Sequence, residues 1–300
     1  MGERRRLTNL AYRMLGSLAD AEDAVQETYA RWYALRPEQR AAVELPGAWL
    51  TTVASRVCLD VLGSARARRE SYVGAWLPEP LPDRAEWVAG RPGEAGVDPA
   101  DRVTLDESVS MAFLVVLEEM TPAQRVAFIL HDVFRYPFAD VARIVGRAPE
   151  ACRRLASTAR RRIRDAQPDA TAAQAASADQ RAGVVRAFRR AWEARDIAAL
   201  VDLLAPDATA TGDGGGLVTA VLRPVEGAAA IARFYLERPG PAAGLAFVEC
   251  TVNGQPGLAV RRGGVTVSVM AFAVAGDRIQ HIWAVLNPDK LRPWGAVSAA

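Results

Sequence analysis

Lysine is nearly absent from this chain of 300 residues, and histidine is scarce. Lys290 is the only lysine, and His131 and His281 are the only histidines. Because no histidine–carboxylate cluster is present, we expect no metal site and no cofactor. The three cysteines are isolated from one another, at Cys58, Cys152 and Cys250. Their odd number and wide spacing fit neither a disulfide framework nor a zinc site, so we predict that they are small core residues.

Long apolar segments are also missing. No uninterrupted apolar run reaches the ~18 to 20 residues that a membrane-spanning helix requires. Three arginines lie within Met1–Arg6, but Leu7-Thr8-Asn9 follows them instead of an apolar stretch with a cleavage site. The sequence therefore shows no secretory signal, and we expect a cytoplasmic protein that does not contact a membrane.

The net charge of +2 hides an uneven distribution of arginine. Two short stretches hold the arginine clusters: Arg66, Arg68 and Arg69 in the first, and Arg153, Arg154, Arg160, Arg161, Arg162 and Arg164 in the second. Two basic stripes on a nearly neutral chain predict contact with a polyanion at defined places. The alternative is a solvated face of an ordinary helical bundle, which would normally mix both signs of charge.

Composition divides the first 179 residues into four parts. Residues 7–70, within a predicted domain 1–70, and residues 108–165 show helical periodicity. The intervening residues 71–107 are rich in proline, glycine and aspartate, and residues 166–179 form a linker of small residues. We therefore predict two all-α domains joined by a long linker.

Residues 180–300 have a different pattern. Two helical stretches start near residue 181, and segments rich in β-branched and aromatic residues follow. The segments 217–222 and 265–274 are predicted to be strands. The carboxyl third is therefore predicted to be an α+β domain, which makes the chain a multidomain protein.

A helix start is clearly marked at Thr121-Pro122-Ala123-Gln124. Threonine can cap the helix, proline suits its first position, and glutamine completes a capping box. Two apolar sets follow at helical spacing: Val126, Ile129, Leu130 and Val133, then Phe138, Val141, Ala142 and Val145. Gly146 can end the second helix in the left-handed conformation, and Pro149 suits the start of a third. This layout predicts a helix-turn-helix.

The third predicted helix has two unlike faces. Its apolar face comprises Cys152, Leu155, Ala156, Ala159 and Ile163, and its polar face comprises Glu150, Arg153, Arg154, Ser157, Arg161 and Arg164. Early residues of a recognition helix can reach base edges, whereas later arginines are better placed for phosphates. We therefore interpret Arg153, Arg154 and Ser157 as base-reading candidates.

Two helices are predicted near the amino terminus. Asp20 can cap the first, whose apolar side comprises Val25, Thr28, Tyr29 and Trp32 and whose outer side comprises Asp23, Gln26 and Glu27. The second has an apolar stripe comprising Leu50, Val53, Ala54, Val57, Cys58 and Val61. Thr52, Arg56 and Asp60 lie on its exposed side, and it ends in the first arginine cluster.

The order of these features resembles a known family. Residues 10–28 resemble region 2 of extracytoplasmic-function sigma factors, and residues 120–165 resemble their region 4. Residues 72–80, 213–216 and 287–291 resemble three signatures of the subgroup that carries a SnoaL-like carboxyl extension, the SigJ-like proteins.

The resemblance implies a promoter-recognition subunit that binds core RNA polymerase and promoter DNA. The implied polymerase contacts are Asp20, Asp23, Gln26 and Glu27. The implied minus-ten contacts are Arg56, Asp60, Arg66, Arg68 and Arg69. The implied minus-thirty-five contacts are Arg153, Arg154, Ser157, Arg160, Arg161 and Arg164.

For the carboxyl domain, the resemblance implies a SnoaL-like cone, a curved sheet wrapped by helices around a pocket, that acts as a regulator in cis. The implied interdomain contacts are Trp76, Leu77, Pro78, Glu79 and Pro80, then Asp213, Gly214, Gly215 and Gly216, then Asn287, Pro288, Asp289, Lys290 and Leu291. From residue types alone, the last two groups could equally be plain turns.

Two other functions stay open. In a small-molecule enzyme that uses the cone pocket, Asp213 and His281 are the only plausible acid–base pair, although a lone histidine on a strand is more often packed than catalytic. A ligand-responsive repressor would use the pocket as its sensor and would bind palindromic half-sites as a dimer. No coiled-coil heptad is present, so we expect a monomer when the protein is free. Whether a small molecule binds in the pocket is left open.

Overall fold

The computed structural model describes residues 2–70, 72–82, 109–166, 177–238 and 243–295, without the side chains of residues 2 and 65–70. Most of both predicted linkers therefore lies outside the described residues, as do the side chains of Arg66, Arg68 and Arg69. The described residues form two compact units. The first unit comprises residues 2–70, 109 and 113–166, and the second comprises residues 72–82, 110–112, 177–238 and 243–295. The predicted domain boundaries stay predictions.

The amino-terminal half is helical. Its helices are α1 (Gly2–Leu15), α2 (Leu18–Ala34), α3 (Pro37–Ala41), α4 (Pro46–Glu70), α5 (Met111–Glu118), α6 (Pro122–Phe128), a π-helical turn (Ile129–Val133), α7 (Phe138–Val145) and α8 (Pro149–Ala166). No helix among the described residues is long and apolar enough to cross a membrane.

The cap of α2 differs from the prediction. Ser17 is the N-cap, and its hydroxyl accepts a hydrogen bond from the backbone N–H of Asp20 at 3.2 Å. Asp20 instead lies in the first turn, where its carboxylate favours the positive end of the helix dipole. The prediction that Asp20 caps this helix was wrong because serine, one position before the helix, is the better-placed acceptor.

The buried side of α4 is also more polar than predicted. Val53 and Val61 are only half-buried, whereas Thr51 and Ser55 are buried. Thr51 donates to the Gly47 carbonyl at 2.8 Å and accepts from the Arg6 guanidinium at 2.6 Å. A threonine whose hydroxyl is satisfied within its own helix can lie in the core at little cost.

The predicted helix-turn-helix is confirmed. Thr121 caps α6 in a capping box with Gln124. Gly146 ends α7 at φ 71°, in the left-handed conformation, and α8 begins at Pro149. The π-helical turn between α6 and α7 was not predicted, although Ile129, Leu130 and Val133 in it are buried as the apolar spacing required.

The second unit is built around one sheet. Its helices are α9 (Ala178–Glu193), α10 (Ile197–Leu203) and α11 (Ala228–Leu236), and a 3-10 turn covers Arg292–Trp294. Its strands are β1 (Leu204–Asp213), β2 (Val225–Glu226), β3 (Leu245–Val252), β4 (Gln255–Arg262), β5 (Val265–Ala275) and β6 (Arg278–Val285). The order across the sheet is β2-β1-β6-β5-β4-β3, with β1 parallel to β6 and the other neighbours antiparallel. This α+β fold agrees with the prediction.

One strand prediction is confirmed and the other is wrong. Residues 265–274 lie in β5, but residues 217–222 form a loop. The Gly214 carbonyl accepts hydrogen bonds from the N–H groups of Leu217 and Val218, both at 3.1 Å. The chain therefore turns, and Leu217 and Leu222 are exposed, because β-branched composition makes a strand only where a neighbouring strand can pair with it.

Aromatic residues hold the helices of this unit on the sheet. Phe188 and Trp192 of α9 pack edge-to-face against Tyr235 of α11, with ring centroids 5.4 and 4.9 Å apart. Trp192 also packs on Phe247 of β3 at 4.4 Å, and its indole N–H donates to the Tyr235 carbonyl at 2.9 Å. Edge-to-face pairs of this kind favour one fixed packing of α9 and α11.

Candidate functional site

Helix α8, the recognition helix of the helix-turn-helix, separates its residues as predicted. Cys152, Ala156 and Ala159 are buried within the first unit, whereas Leu155 and Ile163 of the predicted apolar face are half-buried. The six candidate residues for the minus-thirty-five element, Arg153, Arg154, Ser157, Arg160, Arg161 and Arg164, are all exposed. One side of the helix therefore anchors it, and the other presents cations to solvent.

The arginines of this face differ in their present partners. Arg153 pairs with Glu150 at 3.0 Å and lies over the Phe138 ring, and Arg160 pairs with Asp132 at 2.9 Å. The guanidinium groups of Arg154, Arg161 and Arg164 form no ion pair with any residue that the structure describes. These three can meet a phosphate or a base without first giving up an internal partner.

Helix α2 carries the four candidate polymerase contacts. Asp23, Gln26 and Glu27 are exposed on one face, and Asp20 is half-buried. Glu27 forms an ion pair with Arg31 at 2.8 Å, one turn later on the same helix. The face is acidic and open to solvent within the first unit.

Of the candidate minus-ten residues, Arg56 and Asp60 lie in the described part of α4, and both are exposed. The Arg56 guanidinium donates to the Arg143 carbonyl of α7 at 2.8 Å. A residue implied to contact the minus-ten element is therefore hydrogen-bonded to the helix-turn-helix.

A buried arginine, which sequence reasoning missed, also links the amino-terminal helices to the helix-turn-helix. Arg125 of α6 is 2% exposed. Its guanidinium donates to the Met14 carbonyl of α1 at 3.0 Å and to the Glu118 carboxylate at 2.7 Å. Burial lowers its pKa to about 9, which still leaves it charged at neutral pH. Its spacing four residues before Ile129, on the apolar stripe of α6, was the signal that could have found it.

The second unit contains a buried ionic cluster that we call the linker clamp, formed by Tyr72, Asp213, Asn287 and Lys290. Asp213 ends β1 and has 0% exposure. Its carboxylate accepts from the Tyr72 hydroxyl at 2.6 Å, the Leu77 N–H at 2.9 Å and the Lys290 ammonium at 2.7 Å. The Gly215 N–H also donates to it at 3.0 Å. A buried carboxylate needs such compensation, and every partner except Gly215 belongs to the linker or is Lys290.

Lys290, the only lysine, also contacts the linker directly. Its ammonium donates to the Leu77 carbonyl and lies 4.0 Å from the Trp76 ring centroid. Cation–π contact adds to the ion pair when the cation is desolvated. The linker segment 72–82 is therefore held on the sheet domain by charge, hydrogen bonds and ring contact together.

Asn287 and the glycine loop complete the clamp. The Asn287 side-chain amide donates to the Tyr72 hydroxyl at 2.9 Å, and its backbone N–H donates to the Asp213 carbonyl at 3.0 Å. Gly215 lies at φ +64°, and a Cβ there would collide with the Asn287 side chain. Glycine at position 215 is thus required by the packing of Asn287, which a plain turn would not demand. Burial and the hydrogen bond to Asp213 raise the Tyr72 pKa, so its hydroxyl stays a donor.

The far end of the linker segment has its own partners. The Trp294 indole N–H donates to the Pro80 carbonyl at 2.8 Å. The Leu81 N–H donates to the Asn253 side chain and the Leu81 carbonyl accepts from the Asn253 N–H, both at 2.9 Å. Pro78, Glu79 and Leu291 are buried, whereas Pro288 and Asp289 are exposed. Asn253 and Trp294 were not among the predicted contact residues, whereas Tyr72 begins the segment 72–80 whose resemblance was noted.

The structure does not bring together Asp213 and His281, the acid–base pair of the enzyme alternative. Asp213 pairs with Val285 across β1 and β6, whereas His281 pairs with Thr209, four residues earlier along both strands. The His281 ring is hydrogen-bonded to the Thr209 hydroxyl at 2.7 Å and stacks on Trp283. Among the described residues, no group of three histidine, cysteine or acidic side chains could hold a metal ion.

Comparison with known proteins adds three family matches in chain order. Residues 2–69 match Sigma-70 region 2, residues 110–163 match Sigma-70 region 4, and residues 185–285 match a SnoaL-like domain. The chain is also 39% identical over 298 residues to the ECF RNA polymerase sigma factor SigJ of Mycobacterium tuberculosis, covering 96% of this chain and 90% of that protein. The chain belongs to the extracytoplasmic-function sigma factor family.

A second relative and a solved structure agree with this assignment. The chain is 34% identical to a probable ECF RNA polymerase sigma factor, SigI, of the same species, covering 96% of this chain and 91% of that one. The crystal structure of the M. tuberculosis extracytoplasmic-function sigma factor SigJ matches with a TM-score of 0.72 and 35% identity, over 97% of this chain and 96% of that chain. The predicted fold and family are therefore confirmed, whereas the individual site residues stay predictions.

Proposed function

We propose that this sigma factor binds core RNA polymerase and directs initiation at promoters that it reads through α4 and α8. The observation that carries the proposal is the exposed arginine face of α8, set on a helix-turn-helix. Arg154 and Ser157 lie near the start of the helix and suit base edges, whereas Arg161 and Arg164 suit phosphates. The exposed Asp23, Gln26 and Glu27 of α2 supply the polymerase contact, with Asp20 beside them.

Promoter binding requires the first unit to open. The minus-ten and minus-thirty-five elements are about 25 base pairs apart, or roughly 85 Å along the duplex. A compact unit of this size has a radius of gyration of only roughly 14 Å. Because Arg56 and Arg125 tie the amino-terminal helices to the helix-turn-helix, both must release their carbonyl acceptors before the two elements are read together.

The energy for opening comes from polymerase and DNA. Two arrangements that differ by a few kcal/mol can be exchanged by a partner that binds only one of them. The Arg56 bond is exposed and is therefore weak, so DNA phosphates can replace its carbonyl acceptor readily. The Arg125 hydrogen bond is buried, so it contributes more than the Arg56 bond to the free energy that favours the closed arrangement.

The linker clamp regulates this opening in cis. The segment Tyr72–Pro82 has 11 residues, which would span roughly 38 Å if extended. While the clamp holds the segment, that length is removed from the tether that follows α4. Releasing the clamp would lengthen the tether and change how easily region 2 and region 4 reach their separate elements.

The test is transcription in vitro with core RNA polymerase and a pool of genomic fragments, with sequencing of transcript starts. The whole chain is expected to co-elute with core polymerase and to give start sites that share two upstream elements. Tyr72→Phe, which removes the hydroxyl shared by Asp213 and Asn287, is expected to change the amount of transcript at least twofold without changing the start sites.

The matched control is Tyr33→Phe, since that side chain is 66% exposed. It is expected to leave both the amount of transcript and the start sites unchanged. A chain that neither binds core polymerase nor selects start sites would refute the proposed function. Equal transcript amounts from the whole chain and Tyr72→Phe would refute only regulation through the clamp.

A further inference from the structure

A cavity of about 590 Å³ lies inside the second unit, between α11, the loop after β1 and the strands β4 and β5. This volume is within the range of small-molecule sites, roughly 300 to 1,000 Å³. Its walls are mainly apolar and include Trp192, Phe234, Val260, Met270, Leu286 and Leu291. Such walls suit the apolar part of a ligand.

One polar group in the wall is available to a ligand. Tyr235 is 4% exposed, and its side-chain hydroxyl forms no hydrogen bond with any described residue. Burial raises its pKa, so the hydroxyl stays protonated and can donate. A ligand oxygen in the cavity can therefore accept a hydrogen bond from this hydroxyl without displacing a protein partner.

Among the described residues of the lining, the charged groups are Arg238 and Arg262, and none is a carboxylate. Arg238 follows Tyr235 by three residues, and its guanidinium stacks 3.3 Å from the Phe234 ring centroid. It donates to the Phe234 carbonyl at 3.2 Å but forms no ion pair with the residues that the structure describes. A half-buried guanidinium held flat on a ring keeps donors available for a carboxylate.

We propose that this cavity binds a small amphipathic carboxylate, whose apolar body lies among the aromatic and aliphatic walls. Its carboxylate pairs with Arg238 and accepts a hydrogen bond from the Tyr235 hydroxyl. Neither Asp213 nor His281 lines the cavity. We therefore assign it to binding of the ligand and not to acid–base chemistry on it.

The site also adjoins the linker clamp. Gly212 precedes Asp213, and Pro288 and Leu291 flank the segment that carries Lys290; all three line the cavity. A ligand that fixes these residues stabilises the clamp that holds the linker. This consequence rests on the proposed function, whereas binding itself does not.

The test is isothermal titration calorimetry of the full chain with decanoate and with decanol, which has the same chain length but no charge. Decanoate is expected to bind at least tenfold more tightly than decanol and to raise the thermal unfolding temperature. Arg238→Gln is expected to reduce decanoate affinity at least tenfold and to leave decanol affinity unchanged, and Tyr235→Phe to reduce decanoate affinity by a smaller factor.

The comparison of decanoate with decanol on the unchanged chain needs no variant, so it holds even if Arg238→Gln fails to fold. Arg190→Gln, an exposed arginine of α9, is the matched control. Equal affinities for the two probes, no binding of decanoate, or equal loss in Arg190→Gln would overturn the proposal. Because polymerase is absent from these titrations, their failure is separate from any failure in transcription.

Discussion

The recognition helix and the linker clamp use charge in opposite ways. On α8, the guanidinium groups of Arg154, Arg161 and Arg164 are exposed and without ion-pair partners among the described residues. In the clamp, the Asp213 carboxylate and the Lys290 ammonium are 2.7 Å apart and buried. Exposed charges can exchange water for a phosphate, whereas buried charges can be satisfied only by the partners that surround them.

This difference separates two roles. A surface that must bind and release DNA keeps its cations in water, where changing partners costs little. A contact that must hold one arrangement of the linker has buried charges, because the loss of one partner there strongly destabilises the fold. The two regions should therefore respond differently to substitution and to salt.

The largest effect is expected in the clamp. Asp213→Ala leaves the Lys290 ammonium buried without its counter-charge, which should lower the free energy of unfolding of the second unit by ~3 to 5 kcal/mol. Scanning calorimetry of the full chain would show this loss as an earlier transition for that unit.

The matched exposed pair on α8 is Glu150 with Arg153. Glu150→Ala should lower the free energy of unfolding by no more than ~1 kcal/mol, because an exposed ion pair contributes little to stability. The double variant Asp213→Asn with Lys290→Met should recover much of the loss, since it leaves no uncompensated charge. A loss in Asp213→Ala as small as that in Glu150→Ala would break the comparison.

Substitutions on α8 are expected to have a smaller effect, which changes the free energy of DNA binding and leaves the free energy of unfolding unchanged. If Arg154 pairs with a base, Arg154→Ala should reduce the binding free energy by ~1 to 3 kcal/mol and relax base preference at one position of the minus-thirty-five element. Arg164→Ala should weaken binding evenly across sequences and reduce the salt slope by about 1. Competition binding of the polymerase holoenzyme to promoter variants at several salt concentrations would measure both.

Arg162 is a poorer phosphate probe than Arg164, because its guanidinium donates to the Glu119 carbonyl. Arg190→Ala, on α9, is the control for loss of an exposed arginine outside the helix-turn-helix. If Arg154→Ala and Arg164→Ala weaken all promoter variants equally, Arg154 does not read a base, and the assignment of early residues to base edges is incorrect.

The helix-turn-helix could be predicted from sequence because its signals are local. Thr121, Pro122 and Gln124 fix one helix start, and Gly146 and Pro149 mark the turn before α8, all within 30 residues. The exposed face of α8 follows from helical period alone. These features needed no knowledge of distant contacts.

The clamp could not be derived in the same way, since its partners are far apart in sequence. Tyr72 and Asp213 are 141 residues apart, and Tyr72 and Asn287 are 215 apart. Family resemblance located the three motifs, but not the hydroxyl of Tyr72 that joins two of them. Residues 217–222 failed as a strand for a related reason, because strand formation depends on a partner that local composition does not reveal.

The smallest effect is expected at His281, which is half-buried and so lies between the two extremes. Burial lowers its pKa below the usual value near 6.5, against the attraction of Asp207. As pH falls through 6.5, the unfolded chain takes up a proton that the folded chain resists, so stability is lost on acidification.

The variant His281→Gln removes this pH-dependent contribution to stability and can keep a hydrogen bond to Thr209. Chemical unfolding at pH 7.5 and pH 5.5 should therefore show a greater loss in the natural chain than in His281→Gln. Equal losses would mean that solvent reaches the ring in the folded state as freely as it reaches the arginines of α8.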